Sequence, residues 1–230
     1  MMRELIVNAD WPAAAARVFL EVQPHTIALA GGSTPAALYR RLALIDYQWS
    51  ATEVFFGDER CVPPTDSASN FRMADETLLS NVPAKVHRMR GEICDAAGYE
   101  TELVSIFGPG VPVFDLVFLG LGSDGHTASL FPGDPALTQC ERRVAQVQRP
   151  DHDRLTLTLP VLSAAKVVVF LVAGQDKATA LKRLHDGADI PAARVQAQRV
   201  VVVADEAAAG LISGRERTAM GPQRRHGATP

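Results

Sequence analysis

The sequence predicts an α/β protein, with a mainly parallel sheet and helices on both of its faces in a single domain. Three observations carry that prediction. Short β-branched or apolar runs recur along the chain, several of them apolar on both faces, as covered strands are. Segments with helical spacing lie between the runs, the alternation that builds parallel sheets. No internal repeat and no Pro-, Gly- or Ser-rich linker divides the chain.

Taken in order, the first run is HTIALA at residues 25–30, followed by the turn GGSTP and a helical segment at 35–44. EVFFG at 53–57 precedes GDERC, a loop with two prolines and a helical segment at 70–79. A third helical segment, 95–107, leads into FDLVFLG at 114–120. RLTLTL at 154–159 alternates cleanly, so an edge or antiparallel strand is an alternative there. KVVVFLVAG at 166–174, a helix at 176–185, RVVVVA at 199–204 and a helix at 205–212 complete the pattern. The domain is therefore placed at residues 1–212. Residues 213–230, SGRERTAMGPQRRHGATP, are basic and poor in apolar side chains. They read as a disordered, solvated tail, with an anion-binding arm as the sharper alternative.

Composition narrows the function. With 230 residues, 47% hydrophobic and 21% charged, the chain can bury a sizeable core. A formal net charge of −3 gives no reason to expect nucleic acid or an anionic membrane as a partner, so any basic site must be local. Glu4, Asp10 and Arg17 interrupt the N-terminal stretch, which lacks the apolar core of a signal peptide. VVVFLVAG is far shorter than the ~20 residues a membrane helix needs. A soluble cytoplasmic protein is expected. Cys61, Cys94 and Cys140 are odd in number and without a CxxC pattern, which fits a reducing compartment with no disulfide framework and no zinc site.

Open α/β sheets bind ligands beyond the carboxyl ends of their strands, and four such loops carry polar chemistry. In GGSTP, two glycines allow close backbone approach, Ser33 or Thr34 can cap the next helix, and Pro35 suits its first turn. That makes either an anion site or simply a well-capped turn. It is no Walker loop, since no GK[ST] follows. In GDERC, Asp58, Glu59 and Arg60 form either a solvated charge cluster or a site wall, with Cys61 a small filler beside them. In LGLGSDGHTASLFPG, Asp124 and His126 share a glycine turn, and an imidazole there suits proton transfer near neutral pH. An Asp-x-His metal pair has no further ligand cluster to support it, and no G-x-S-x-G elbow supports a serine triad. In AGQDKATAL, Lys177 opposes the dipole of the helix it begins, a conflict that a bound anion would remove. Arg154 could join it in holding a phosphate.

The blocks ALAGGSTPAALYRRLA, VFFGDERCVPPTDSASNFRMADETLL, FDLVFLGLGSDGHTASLFPG and RLTLTLPVLSAAKVVVFLVAGQDKATAL resemble, in the right order, the glucosamine-6-phosphate isomerase/6-phosphogluconolactonase superfamily on its lactonase side. The resemblance runs from about residue 27 to residue 205. It implies a Rossmann-like fold and hydrolysis of 6-phosphoglucono-1,5-lactone to 6-phosphogluconate in the pentose phosphate pathway, with no metal or organic cofactor. By similarity His126 stands at the catalytic histidine, and Gly32, Ser33 and Thr34 in the sugar-phosphate loop. Asp58 and Arg60 fall in the GDER wall, and Arg154 and Lys177 at phosphate-facing positions. Asp124 or Asp58 would orient the imidazole or the water. A monomer acting on a small sugar-phosphate lactone is expected.

Two rivals remain. Glucosamine-6-phosphate deaminases of the same superfamily look like DGHIAFNEP where this chain has DGHTASLFP, so their glutamate is matched by Phe131. They carry DEY where this chain has Asp58-Glu59-Arg60. A non-catalytic sugar-phosphate sensor, as found in transcriptional regulators, would need a DNA-binding segment, and only one short helical stretch precedes the first strand.

Overall fold

The computed structural model describes residues 3–214, so nearly all of the basic tail expected at 213–230 lies outside the described residues. In chain order the elements are β1 (Glu4–Val7), α1 (Trp11–Val22), β2 (Thr26–Leu29), α2 (Ser33–Leu42), β3 (Glu53–Phe56), β4 (Asp58–Arg60), α3 (Asn70–Thr77) and β5 (Lys85–Val86). They continue with α4 (Ala96–Phe107), β6 (Leu116–Gly120), β7 (Val144–Val147), β8 (Arg154–Leu157), α5 (Leu159–Ala164), β9 (Val167–Val172), α6 (Ala178–His185) and β10 (Arg199–Ala204).

Seven strands form a parallel sheet in the order β1-β10-β9-β6-β2-β3-β5. The apolar runs occupy its middle, where both strand faces must be covered. Phe55 and Phe56 of β3 point to opposite faces. The Phe55 ring lies 5.4 Å from Phe107 of α4, and Phe56 lies 6.1 Å from Phe71 of α3. Helices therefore cover both faces, as expected, and each fully buried phenylalanine contributes about 1.5–3 kcal/mol. Local chemistry sets the helix ends: Asp10 and Asp95 accept from the amides of Ala13 and Gly98 at the starts of α1 and α4. Gln23 ends α1 in the left-handed region at φ 49°.

From β2 the chain adds β3 and β5 on one side, then returns with β6 on the other. The order thus reverses between β2 and β6, and a crevice opens at their carboxyl ends. A second, antiparallel sheet, β4-β8-β7, sits beside it. The alternating RLTLTL segment is its central strand, which takes up the antiparallel alternative.

Three expectations need correction. The helix expected at 205–212 is only a 3-10 turn, Ala208–Leu211, with Gly210, a poor residue for a helix interior, inside it. The helix expected at 176–185 begins as a 3-10 turn, Gln175–Lys177, and becomes α-helical at Ala178. Cys61 and Cys94 form a disulfide, with Cα atoms 5.0 Å apart, and only Cys140 is a free cysteine among the described residues. The pairing was hidden because 33 residues separate the two cysteines in sequence. The chain turns at the end of β4 and again before α4 to bring them together. No helix among the described residues is long and apolar enough to cross a membrane.

Candidate active site

A cleft of about 240 Å³ lies at the switch point. Gly31, Gly32, Ser33 and Thr34 line it from the turn after β2, and Gly122, His126 and Ala128 from the loop after β6. Asp58 and Arg60 enter from β4, Arg154 from β8 and Lys177 from the turn before α6. Eight of the nine residues singled out in the sequence thus meet in one space. Asp124, the ninth, lies behind the histidine instead of lining the cleft.

His126 is fixed from two sides. Its Nδ1 lies 2.6 Å from Asp124 Oδ1, which also accepts the His126 amide at 3.0 Å. An ionised carboxylate only accepts, so Nδ1 carries a proton, and the neutral tautomer this selects is the one with its lone pair on Nε2. Burial pushes the Asp124 carboxyl up. The hydrogen bonds from the His126 amide and ring, with the charge of His126, outweigh that and hold it below the usual carboxylate range. On its other face the imidazole packs 4.4 Å from the Phe131 ring. Gly122 supplies the room, since a Cβ there would fall 2.1 Å from His126 Nδ1.

Asp58 is 6% exposed and ties the loops together. Its Oδ2 accepts from Ser129 Oγ at 2.7 Å and its Oδ1 from Asn70 Nδ2 at 3.1 Å. It contacts the histidine loop through Ser129, two positions past Thr127, and not the imidazole itself. The solvated-cluster reading of the charged trio fails at Glu59, which is 2% exposed. Its carboxylate accepts from the amides of Arg60, Asn70 and Phe71 and from Ser69 Oγ, stapling the start of α3 to β4. Burial nonetheless pushes the Glu59 carboxyl above its ordinary value.

The basic side chains converge through strand register, because Arg60 stands opposite Arg154 across the antiparallel pair. Arg60 Nη1 donates to Ala68 O at 2.6 Å, and Arg154 Nη2 pairs with Asp151 at 2.6 Å. Both Nε atoms are buried without a partner among the described residues. Arg154 also lies over the Phe131 ring at 5.4 Å, and Arg149 at 4.1 Å. Among the described residues the Lys177 ammonium pairs with the exposed Asp176, at 3.2 Å.

At α2 the expected hydroxyl cap is absent. Gly32 is the N-cap at φ 99°, which suits glycine, and no side chain caps it. Ser33 and Thr34 are the first two helical residues, so the first-turn amides and both hydroxyls remain available for an anion. Tyr39 holds this turn in place from α2. Its buried hydroxyl accepts from Ala30 N at 2.8 Å and donates to Ala30 O at 2.9 Å, and burial pushes its ionisation upward. Sequence reasoning missed Tyr39, Asn70, Gly122 and Ser129. Among these, only the glycine's place beside the Asp124–His126 turn gave a signal.

The profile of the family described as Glucosamine-6-phosphate isomerases/6-phosphogluconolactonase matches residues 7–204. The chain is 43% identical to a 6-phosphogluconolactonase of Synechocystis sp. over 187 residues, 75% of this chain and 78% of that one. It is 38% identical to a 6-phosphogluconolactonase of Homo sapiens over 207 residues, 81% of this chain and 80% of the other. The crystal structure of 6-phosphogluconolactonase from Leishmania guyanensis superposes with a TM-score of 0.82 at 28% identity, covering 93% of this chain and 100% of that one. Fold, site motifs and relatives agree: this chain belongs to the glucosamine-6-phosphate isomerase/6-phosphogluconolactonase family.

Proposed function

We propose that this chain hydrolyses 6-phospho-D-glucono-1,5-lactone to 6-phospho-D-gluconate, the second step of the oxidative pentose phosphate pathway. The observation that carries the reading is a histidine oriented by Asp124 in one cleft with Arg60, Arg154 and Lys177, where both arginine Nε atoms lack a partner among the described residues, and with an open helix start. His126 Nε2 takes a proton from water, and the water oxygen attacks the lactone carbonyl carbon. Arg60 serves the oxyanion that develops, which its unpartnered Nε supports. When the tetrahedral intermediate collapses, the bond to the ring oxygen breaks and the imidazolium returns its proton to that oxygen, now the C5 hydroxyl. Asp124 keeps the ring in the required tautomer, while Asp58 holds the histidine loop through Ser129. Ser33, Thr34, the first amides of α2, Arg154 and Lys177 bind the phosphate and thereby place the carbonyl.

Phe131 favours this reading over the deaminase, because an apolar ring packs on His126 where the deaminase motif has a glutamate. In the same reading the chain acts as a cytoplasmic monomer, which sedimentation of the purified protein checks. Activity on 6-phosphogluconolactone, gluconolactone and glucosamine 6-phosphate tests the assignment. The phosphorylated lactone should be preferred by at least tenfold in kcat/KM, with no ammonia released from the amino sugar. Equal rates on the two lactones would contradict the phosphate site, and ammonia release would give the deaminase.

A further inference from the structure

Five buried side-chain atoms lack a hydrogen-bond partner among the described residues, and three belong to residues of the cleft: Arg60 Nε, Arg154 Nε and Asn70 Oδ1. The arginine atoms are donors and suit an anion. Asn70 Oδ1 is an acceptor, which an anion cannot satisfy.

The side chain of Asn70 is 2% exposed at the first position of α3, and its orientation is set by neighbours. Nδ2 donates to Asp58 O at 2.9 Å and to Asp58 Oδ1 at 3.1 Å. A backbone carbonyl can only accept, so the amide nitrogen must face Asp58 and the oxygen must face away. That oxygen lies against Gly31, where a Cβ would fall 1.9 Å from it. Gly31 has no left-handed φ to demand glycine. What its missing side chain provides is room for this acceptor at the cleft wall. Buried acceptors are paired in nearly all native proteins, and an unpaired one is costly.

We infer that Asn70 Oδ1 accepts a hydrogen bond from a ring hydroxyl of the sugar-phosphate substrate, which makes Asn70 a specificity residue. The inference rests on the lactone reading above. A phosphate dianion and a lactone carbonyl have no proton to donate, whereas the hydroxyls on C2, C3 and C4 do. Asn70 therefore reads the sugar ring, while the basic groups read the phosphate.

The test uses the full chain with 6-phosphogluconolactone and its 2-deoxy, 3-deoxy and 4-deoxy analogues. Each lactone is made in solution from the corresponding glucose 6-phosphate, and acid release above the spontaneous rate is followed with a pH indicator. Loss of one hydroxyl should lower wild-type kcat/KM by roughly 10- to 100-fold, the effect of leaving a buried acceptor unpaired. In Asn70→Ala the parent substrate should fall to the level of that deoxy analogue, and the discrimination should vanish. A folded variant that still discriminates as wild type does would overturn the inference. If the variant does not fold, the wild-type series decides alone: three analogues within twofold of the parent would overturn it. Wild-type protein without turnover of the parent lactone would instead sink the lactone reading, and this inference with it.

Discussion

Gly122 shows how a single atom bears on catalysis here. Its φ is ordinary, yet a Cβ would lie 2.1 Å from His126 Nδ1. Gly122→Ala must therefore push the imidazole off Asp124. A misplacement of about 1 Å costs on the order of 10²-fold in rate, so kcat should fall that far while the melting temperature stays within a few degrees. Wild-type kcat in Gly122→Ala would show that the ring position does not matter. Asp124→Asn should leave His126 in place but favour the wrong tautomer; because the Asp124 side chain is about half exposed, kcat should fall by about 10- to 10²-fold, less than the roughly 10⁴-fold loss where such a partner is buried. A pH–rate profile with unchanged amplitude would contradict the orienting role. Asp124 and His126 were legible in the sequence because they share one turn. Ser129 and Asn70 were not, since their contacts to Asp58 span 71 and 12 residues and no local pattern announces them.

The small antiparallel sheet sets Arg60 opposite Arg154, and Glu100 of α4 pins it down. Glu100 accepts from Arg142 Nε at 2.6 Å and from the Arg143 amide at 2.9 Å, just before β7. Burial raises the Glu100 carboxyl, but these bonds and the nearby guanidinium charges outweigh it, leaving the folded value below the ordinary one. Stability from such a group is present above the unfolded carboxylate range, about 4.3, and is lost as pH falls through the lower folded value. Glu100→Gln should therefore destabilise the protein at neutral pH and flatten the loss of stability as pH falls below the ordinary carboxylate range, about 4.3. Urea midpoints across that range check it, and parallel curves for the two proteins would refute the role. The covered strands β2, β3, β6, β9 and β10 were readable as apolar runs. The short or edge strands β1, β4, β5 and β7 were not, because charged residues such as Glu4, Asp58 and Lys85 interrupt their pattern while backbone pairing still holds them.

Across the whole molecule, chain order places the cleft, since the reversal between β2 and β6 gathers loops separated by nearly a hundred residues. The Cys61–Cys94 disulfide closes a loop that carries the end of the GDER wall, α3 and β5. A crosslink over 33 residues is worth about 2–4 kcal/mol, so reductant or Cys94→Ser should lower the unfolding free energy by that much. An unchanged denaturant midpoint would mean that the bond adds nothing to stability. The fold class and most of the cleft could be read from strand runs and strand-end loops. Long-range pairings such as this one could not, because sequence spacing carries no distance.

The most direct test of the account is hydrolysis of freshly made 6-phosphogluconolactone by wild type and His126→Ala, each corrected for spontaneous opening and coupled to 6-phosphogluconate dehydrogenase. Wild type should exceed the background clearly, and His126→Ala should lose about 10²–10⁴-fold in kcat, the usual contribution of a general base, with KM little changed. A His126→Ala enzyme within a few-fold of wild type would contradict the histidine's role, and a wild type no faster than background would contradict the reaction itself.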